Sequence, residues 1–157
     1  MSRPPLHVWI PSNRTYESRR NRGKPAPMDG LNEMRGSDRT GKYVGASRER
    51  RNLEHCAWHV KVAMVRAGYA PMTVQDRCKC HVYMTIVEPH DRRDVPNVMG
   101  GVPKYALDAL TARNKGGVGA IWDDNTHWMP KFVPTIRIDP ERPGIEFTII
   151  PLEVDDQ

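Results

Sequence analysis

Residues 78–113 read CKCHVYMTIV (78–87), EPHDRRDVPNVMGGV (88–102) and PKYALDALTAR (103–113). The first segment is rich in β-branched and aromatic residues, the composition of a partly buried strand. The third opens on a proline, which suits the first turn of a helix, where an N–H would have no partner anyway. Ala106, Leu107 and Leu110 then share one helical face, which predicts a helix from Pro103 to about Arg113. The middle segment reads as a loop. Strand, loop and helix in that order suggest a sheet with helices packed against it, and the rest of the chain extends this pattern.

Upstream, Leu6–Ile10 reads as a short first strand halted by Pro11. Ser47 is a candidate N-cap. Leu53, Cys56, Ala57, Val60, Met64 and Ala67 follow at spacings of three and four, predicting a helix over 48–67 that Gly68 terminates. Downstream, Lys115–Gly119 is a turn. Trp128–Ile138 and Ile145–Leu152 read as two further strands, antiparallel neighbours joined by DPERPG (139–144). Pro130 and Pro134 put the first of these at a sheet edge, or delay its start to near Thr135. The predicted order is β-α-β-α-β-β. The class is α/β (α+β), with a small mixed sheet of about four strands and two main helices. A length of 157 residues suits one domain spanning 1–157. No internal repeat is evident. Residues 11–46, rich in Arg, Gly, Asn and Pro, are expected to form a long basic loop, functional or partly disordered.

The mean hydropathy is −0.66, and no apolar run approaches the ~20 residues that span a bilayer. The apolar part of the N-terminal segment is too short for a secretory signal, so a cytoplasmic protein without a membrane partner is expected. Cys56, Cys78 and Cys80 are odd in number, which argues against a disulfide framework and for reduced thiols. Cys56, Cys78, Cys80, His55 and His81 carry zinc-compatible atoms. However, two cysteines alternating on a strand face read as core packing, their spacing is not that of a structural site, and no zinc is expected.

The net charge is +5, unevenly spread. Residues 1–51 hold twelve Lys and Arg against five Asp and Glu, while the remainder holds twelve against fourteen. A basic arm beside an acidic region suits a polyanion on which a metal acts at one point. Arg14, Arg19, Arg20, Arg22, Lys24, Arg35, Arg39 and Lys42 are candidate phosphate contacts. Tyr16 and Tyr43 among them are candidates for stacking on unpaired bases. Arg92 and Arg93 would hold phosphate beside the reacting bond. Trp122 and Trp128 read as core anchors.

Hydrolysis of a phosphodiester needs an activated water and neutralisation of charge on the phosphoryl oxygens. Mg²⁺ supplies both and is held by few carboxylates. Asp94 and Asp124, on either side of the second helix, are expected to converge at one end of the sheet. Lys104 and Asp108 stand one helical turn apart. On spacing alone they read as a surface ion pair, and the Asp123–Asp124 pair reads as a turn. His127 and His90 read equally as site residues or as ordinary polar positions.

In combination these pieces resemble the RusA family of Holliday-junction resolvases. The match runs through RRDVPN (92–97), KYALDAL (104–110) and WDD (122–124), with PSN (11–13) after the first strand. It covers strand one and most of residues 80–127. The resemblance implies a homodimeric, Mg²⁺-dependent endodeoxyribonuclease for branched DNA, with Mn²⁺ as a substitute ion, in the cytoplasm of a bacterial or phage-infected cell. It makes Asp94 and Asp124 metal ligands and Lys104 a catalytic lysine that Asp108 orients. The chain departs from the family in two places. Pro96 stands where a second acid is usual, and Met99–Val102 lengthens the run to Lys104. Asn97, Asp123 or Asp91 could replace the missing ligand, Asn97 first because an amide oxygen suits a hard cation. Loss of the acid raises a second expectation, a branched-DNA-binding protein without catalysis. A flap or single-strand nuclease is a third.

Overall fold

The computed structural model describes residues 3–35 and 42–153; side-chain placement begins again at residue 46. The elements are β1 (Leu6–Pro11), α1 (Leu31–Arg35), α2 (Lys42–Ala67), β2 (Cys80–Glu88), α3 (Val95–Leu110), β3 (Lys131–Ile138) and β4 (Gly144–Pro151). They form the expected α+β arrangement, a four-stranded mixed sheet with helices packed on it. The short α1, inside the segment read as a loop, was not anticipated.

The sheet order is β1-β4-β2-β3. β4 runs antiparallel to both β1 and β2, and β3 runs parallel to β2. The expected β3–β4 pairing is therefore corrected, because β2 lies between them. The chain crosses β2 after Ile138, where Asp139 N–H donates to Glu88 O at 2.8 Å. β3 is the edge strand that its prolines suggested, since a proline has no N–H to donate and is tolerated where that position faces the open edge of a sheet.

Alternation along the strands puts Leu6, Val8 and Ile10 of β1 on the same buried face as Val82, Met84 and Ile86 of β2 and Ile145, Phe147 and Ile149 of β4. Cys56, Val60 and Met64 of α2 cover this face, with Val98, Val102, Tyr105, Ala106, Ala109 and Leu110 of α3. Ala67, placed on the apolar face by its spacing, is exposed. α2 ends as expected at Gly68, whose φ of +64° disfavours other residues. Tyr69 N–H then donates to Met64 O and Gly68 N–H to Val65 O, closing the last turn.

Both helix starts need correction. α2 begins at Lys42, so Ser47 lies inside the helix and is no N-cap. α3 begins at Val95, not Pro103, and absorbs most of the predicted loop. Pro96 occupies its first turn and Pro103 lies in its interior. Gly100 and Gly101 were read as a loop insertion, but they form the surface on which α1 crosses α3. A Cβ on Gly101 would lie 2.5 Å from Gly30 C and closer still to Leu31 N.

The segment before α1 also has defined structure. Thr15 bridges Pro25, Tyr16 N–H donates to Lys24 O at 2.9 Å, and Ala26 N–H to Arg14 O at 3.0 Å. No described helix is long and apolar enough to cross a membrane.

Candidate functional site

The C-terminal end of α3 carries an acidic recess of about 290 Å³, lined by Asp108, Asp123 and Asp124 with Thr111, Arg113 and Asn114. Backbone bonds bring its two halves together. Ala112 N–H donates to Ile121 O and Ile121 N–H to Leu110 O, and Thr111 and Ile121 form a parallel bridge. These bonds return the chain so that the WDD motif lies beside the last turn of α3. Asp123 Oδ1 accepts from Asp124 N–H at 2.9 Å and its Oδ2 from Asn125 Nδ2 at 3.1 Å. Asn125 Oδ1 in turn accepts from the backbone N–H groups of His127 and Trp128.

Three carboxylates of the lining face one cation, the exposed Arg113. Partial burial raises the Asp108 carboxyl above its usual range, and the negative charge of Asp124 adds to this. Burial likewise raises Asp124, with a further contribution from Asp123. Crowded carboxylates of this kind suit a hard divalent cation. Among the described residues no three His, Cys, Asp or Glu side chains form a ready-made metal cage. Mg²⁺ does not require one, because it commonly keeps several waters and takes one or two carboxylates.

Lys104 lies one turn before Asp108 and is exposed. Its ion-pair partner is Glu49 of α2, at 3.4 Å, not the Asp108 of the sequence reading. Asp108 still senses the Lys104 charge, which lowers its pKa against the other influences. His127 is exposed with its ring edge against Trp128. Trp122 and Trp128 meet edge to face, and the Arg77 guanidinium lies 5.3 Å and 5.0 Å from their ring centres.

Asp94 is not part of this recess. It occupies the N-cap position of α3 and makes no side-chain capping bond. Fourteen residues of helix separate it from Asp108, a rise of about 21 Å. The expected convergence of Asp94 and Asp124 within one chain is therefore corrected. The helix between them was expected to return the chain so that the two carboxylates meet, but it begins at Val95 and leaves Asp94 at its far end.

Two further site residues are engaged elsewhere. Asn97 is buried; its Oδ1 accepts from Asn32 N–H at 2.6 Å and its Nδ2 donates to Glu33 Oε2 at 3.2 Å. It is thus a structural tie between α1 and α3, not the first replacement ligand. Arg93 donates through Nε and Nη2 to Glu88, through Nη1 to Glu33, and through Nη2 to Met28 O. Burial works against its charge, but the Glu88 and Glu33 carboxylates outweigh it and its pKa is raised. Its side chain is only 10% exposed, so it is not free to meet phosphate. Arg92 and Asp91 are exposed at the other end of α3 from Asp124, and His90 Nδ1 accepts from Arg92 N–H.

Within the basic arm, Arg19, Arg20, Arg22 and Lys24 are exposed or nearly so. Arg14 pairs with buried Asp29 at 3.2 Å and donates to Pro27 O at 3.0 Å. Arg39 and the side chains of Lys42 and Tyr43 lie outside the described residues. A polar chain missed in the sequence runs behind the arm. Asn13 Nδ2 donates to Asn52 Oδ1, and Asn52 Nδ2 to Asp29 Oδ2, both at 3.0 Å. The signal was Asn52 itself, four residues before Cys56 and eight before Val60 on the apolar face of α2. No protein-family model and no curated protein sequence matches the chain.

Proposed function

We propose that this protein is a Mg²⁺-dependent, structure-specific endodeoxyribonuclease for branched DNA, with four-way junctions as its main substrate. The observation that carries the reading is the acidic recess, where Asp108, Asp123 and Asp124 crowd together one turn from Lys104. The exposed arginines of the N-terminal arm and the resemblance to RusA-type resolvases support it. Asp124 and Asp108 would hold the ion, with Asp123 shaping the turn that presents Asp124. The ion would supply Lewis-acid neutralisation of the phosphoryl oxygens and a lowered pKa for water. Lys104 would add positive charge where negative charge builds up in the transition state. Arg19, Arg20, Arg22, Lys24 and Arg92 would hold backbone phosphates and fix the register of the DNA.

Asp94 can join a metal at Asp124 only from a second copy of the chain. That fits a homodimer, which the family resemblance implies and which two symmetric cuts require. The test is a mixing experiment on a labelled four-way junction in Mg²⁺. Asp94→Asn and Asp124→Asn are each expected to lose cleavage. Heterodimers of the two keep one intact site and should nick the junction. A mixture as inactive as its components, with heterodimers demonstrated, would rule out the shared site. Comparing four-way, flap and linear substrates separates junction resolution from flap cleavage.

A non-catalytic branched-DNA binder is the second reading, favoured by Pro96 in place of an acid and by the engagement of Asn97 with Glu33. It calls for junction binding that neither Mg²⁺ nor Mn²⁺ converts to cleavage.

A further inference from the structure

A second recess, of about 470 Å³, opens between the N-terminal arm and α2 and shares no residue with the acidic one. Its floor is the buried pair Asp29 and Asn52, 3% and 0% exposed. Its walls carry Arg14, Arg48, Arg51 and the half-buried Tyr16. The three arginines are not equivalent. Arg14 is neutralised by Asp29, and Arg48 Nη1 donates to Glu33 O at 2.9 Å. Arg51 is exposed on the rigid α2 and makes no ion pair or hydrogen bond among the described residues.

An uncommitted guanidinium and an aromatic ring lining one concave recess are the complement of one nucleotide. The guanidinium suits the phosphate and the ring suits the face of the base, while the floor, whose Asn52 amide is already bonded to Asn13 and Asp29, holds the recess open beneath them. A track for duplex phosphates needs cations alone, without an aromatic ring or a concave recess. The volume falls in the range of small-ligand sites, and a base must leave its stack to enter a concave site. We propose that this recess binds a single unpaired nucleotide of a DNA strand, with Arg51 on the phosphate and Tyr16 against the base. The proposal rests on the reading of the chain as a DNA-binding protein, and adds a site that captures unstacked bases at a branch.

The probe is a 5′-phosphorylated five-nucleotide single strand, too short to form a branch, titrated into the full chain with EDTA present. Wild-type protein is expected to bind it. Arg51→Gln and Tyr16→Leu should each weaken binding about tenfold, and Arg51→Gln should also flatten the salt dependence by about one phosphate contact. Lys61→Gln, ten residues further along α2, is the control for general charge and should stay within about twofold. Absence of wild-type binding, equal weakening by Arg51→Gln and Lys61→Gln, or full affinity in Tyr16→Leu would overturn the proposal. Junction binding and cleavage by the wild type are measured in parallel. Binding of the junction without binding of the short strand removes the recess proposal alone. Binding of the short strand without junction cleavage removes the nuclease reading alone.

Discussion

Arg93 donates to acceptors from three parts of the chain: Glu88 of β2, Glu33 of α1 and the Met28 carbonyl. Replacing it with alanine would leave Glu88, 2% exposed, without its guanidinium. Breaking a buried pair from one side costs about 3–5 kcal/mol, so thermal unfolding should fall by roughly 10 °C. A fall under about 2 °C would contradict the structural role. Glu33 gives a pH dependence of defined sign. Burial alone would raise its pKa, but Arg93 outweighs this and lowers it. Its contribution is therefore present above the unfolded carboxylate value of about 4.3 and is lost as pH falls through the folded one. Glu33→Gln should be less stable than wild type at pH 7, and the gap should close as the pH drops below about 4. A gap independent of pH would exclude the ion pair as its source. Asp108 is the opposite case, a carboxylate crowded by Asp124. Asp108→Asn should leave metal-free stability unchanged or slightly higher. Millimolar Mg²⁺ should raise the melting temperature of wild type more than that of the variant, because only wild type keeps both carboxylates proposed to hold the ion. Equal stabilisation of both would place the ion elsewhere.

α3 is the element that local sequence preference encodes least well. Its C-terminal half was legible, because Ala106, Leu107 and Leu110 repeat at helical spacing. Its N-terminal half was not, because Pro96, Gly100, Gly101 and Pro103 are poor helix formers on intrinsic preference. Tertiary packing overrides that preference here. Val98 and Val102 are buried, and the glycines let α1 approach. The two glycines should therefore respond differently to alanine. At Gly100 a Cβ meets only the flexible Leu31 side chain, at 3.0 Å, and the gain in helix propensity offsets that contact. At Gly101 it meets backbone, and a cost of about 1–3 kcal/mol is expected. Equal melting temperatures for the two variants would contradict the close crossing. The same helix explains the limits of the site reading. Asp108, Asp123 and Asp124 share a recess because local backbone bonds join the end of α3 to residue 121. The position of Asp94 depended on where the helix starts, and propensity placed that start eight residues too late.

Across the whole molecule, strand content, the edge position of β3 and the single sheet were readable from alternation and proline placement. The strand order was not, because pairing β4 with both β1 and β2 is a long-range choice that local pattern does not encode. Charge is arranged at the same scale, with exposed arginines on the N-terminal arm and carboxylates at the end of α3. On the proposed reading, the acidic recess is where a divalent cation acts on bound DNA. Its most direct test is cleavage of an end-labelled four-way junction in Mg²⁺ by wild type and by Asp124→Asn, with binding measured on the same samples. The expected result is paired cuts by wild type and none by the variant, whose junction affinity is retained or tighter because one repulsive charge is gone. Cleavage by Asp124→Asn at the wild-type rate would contradict the claim.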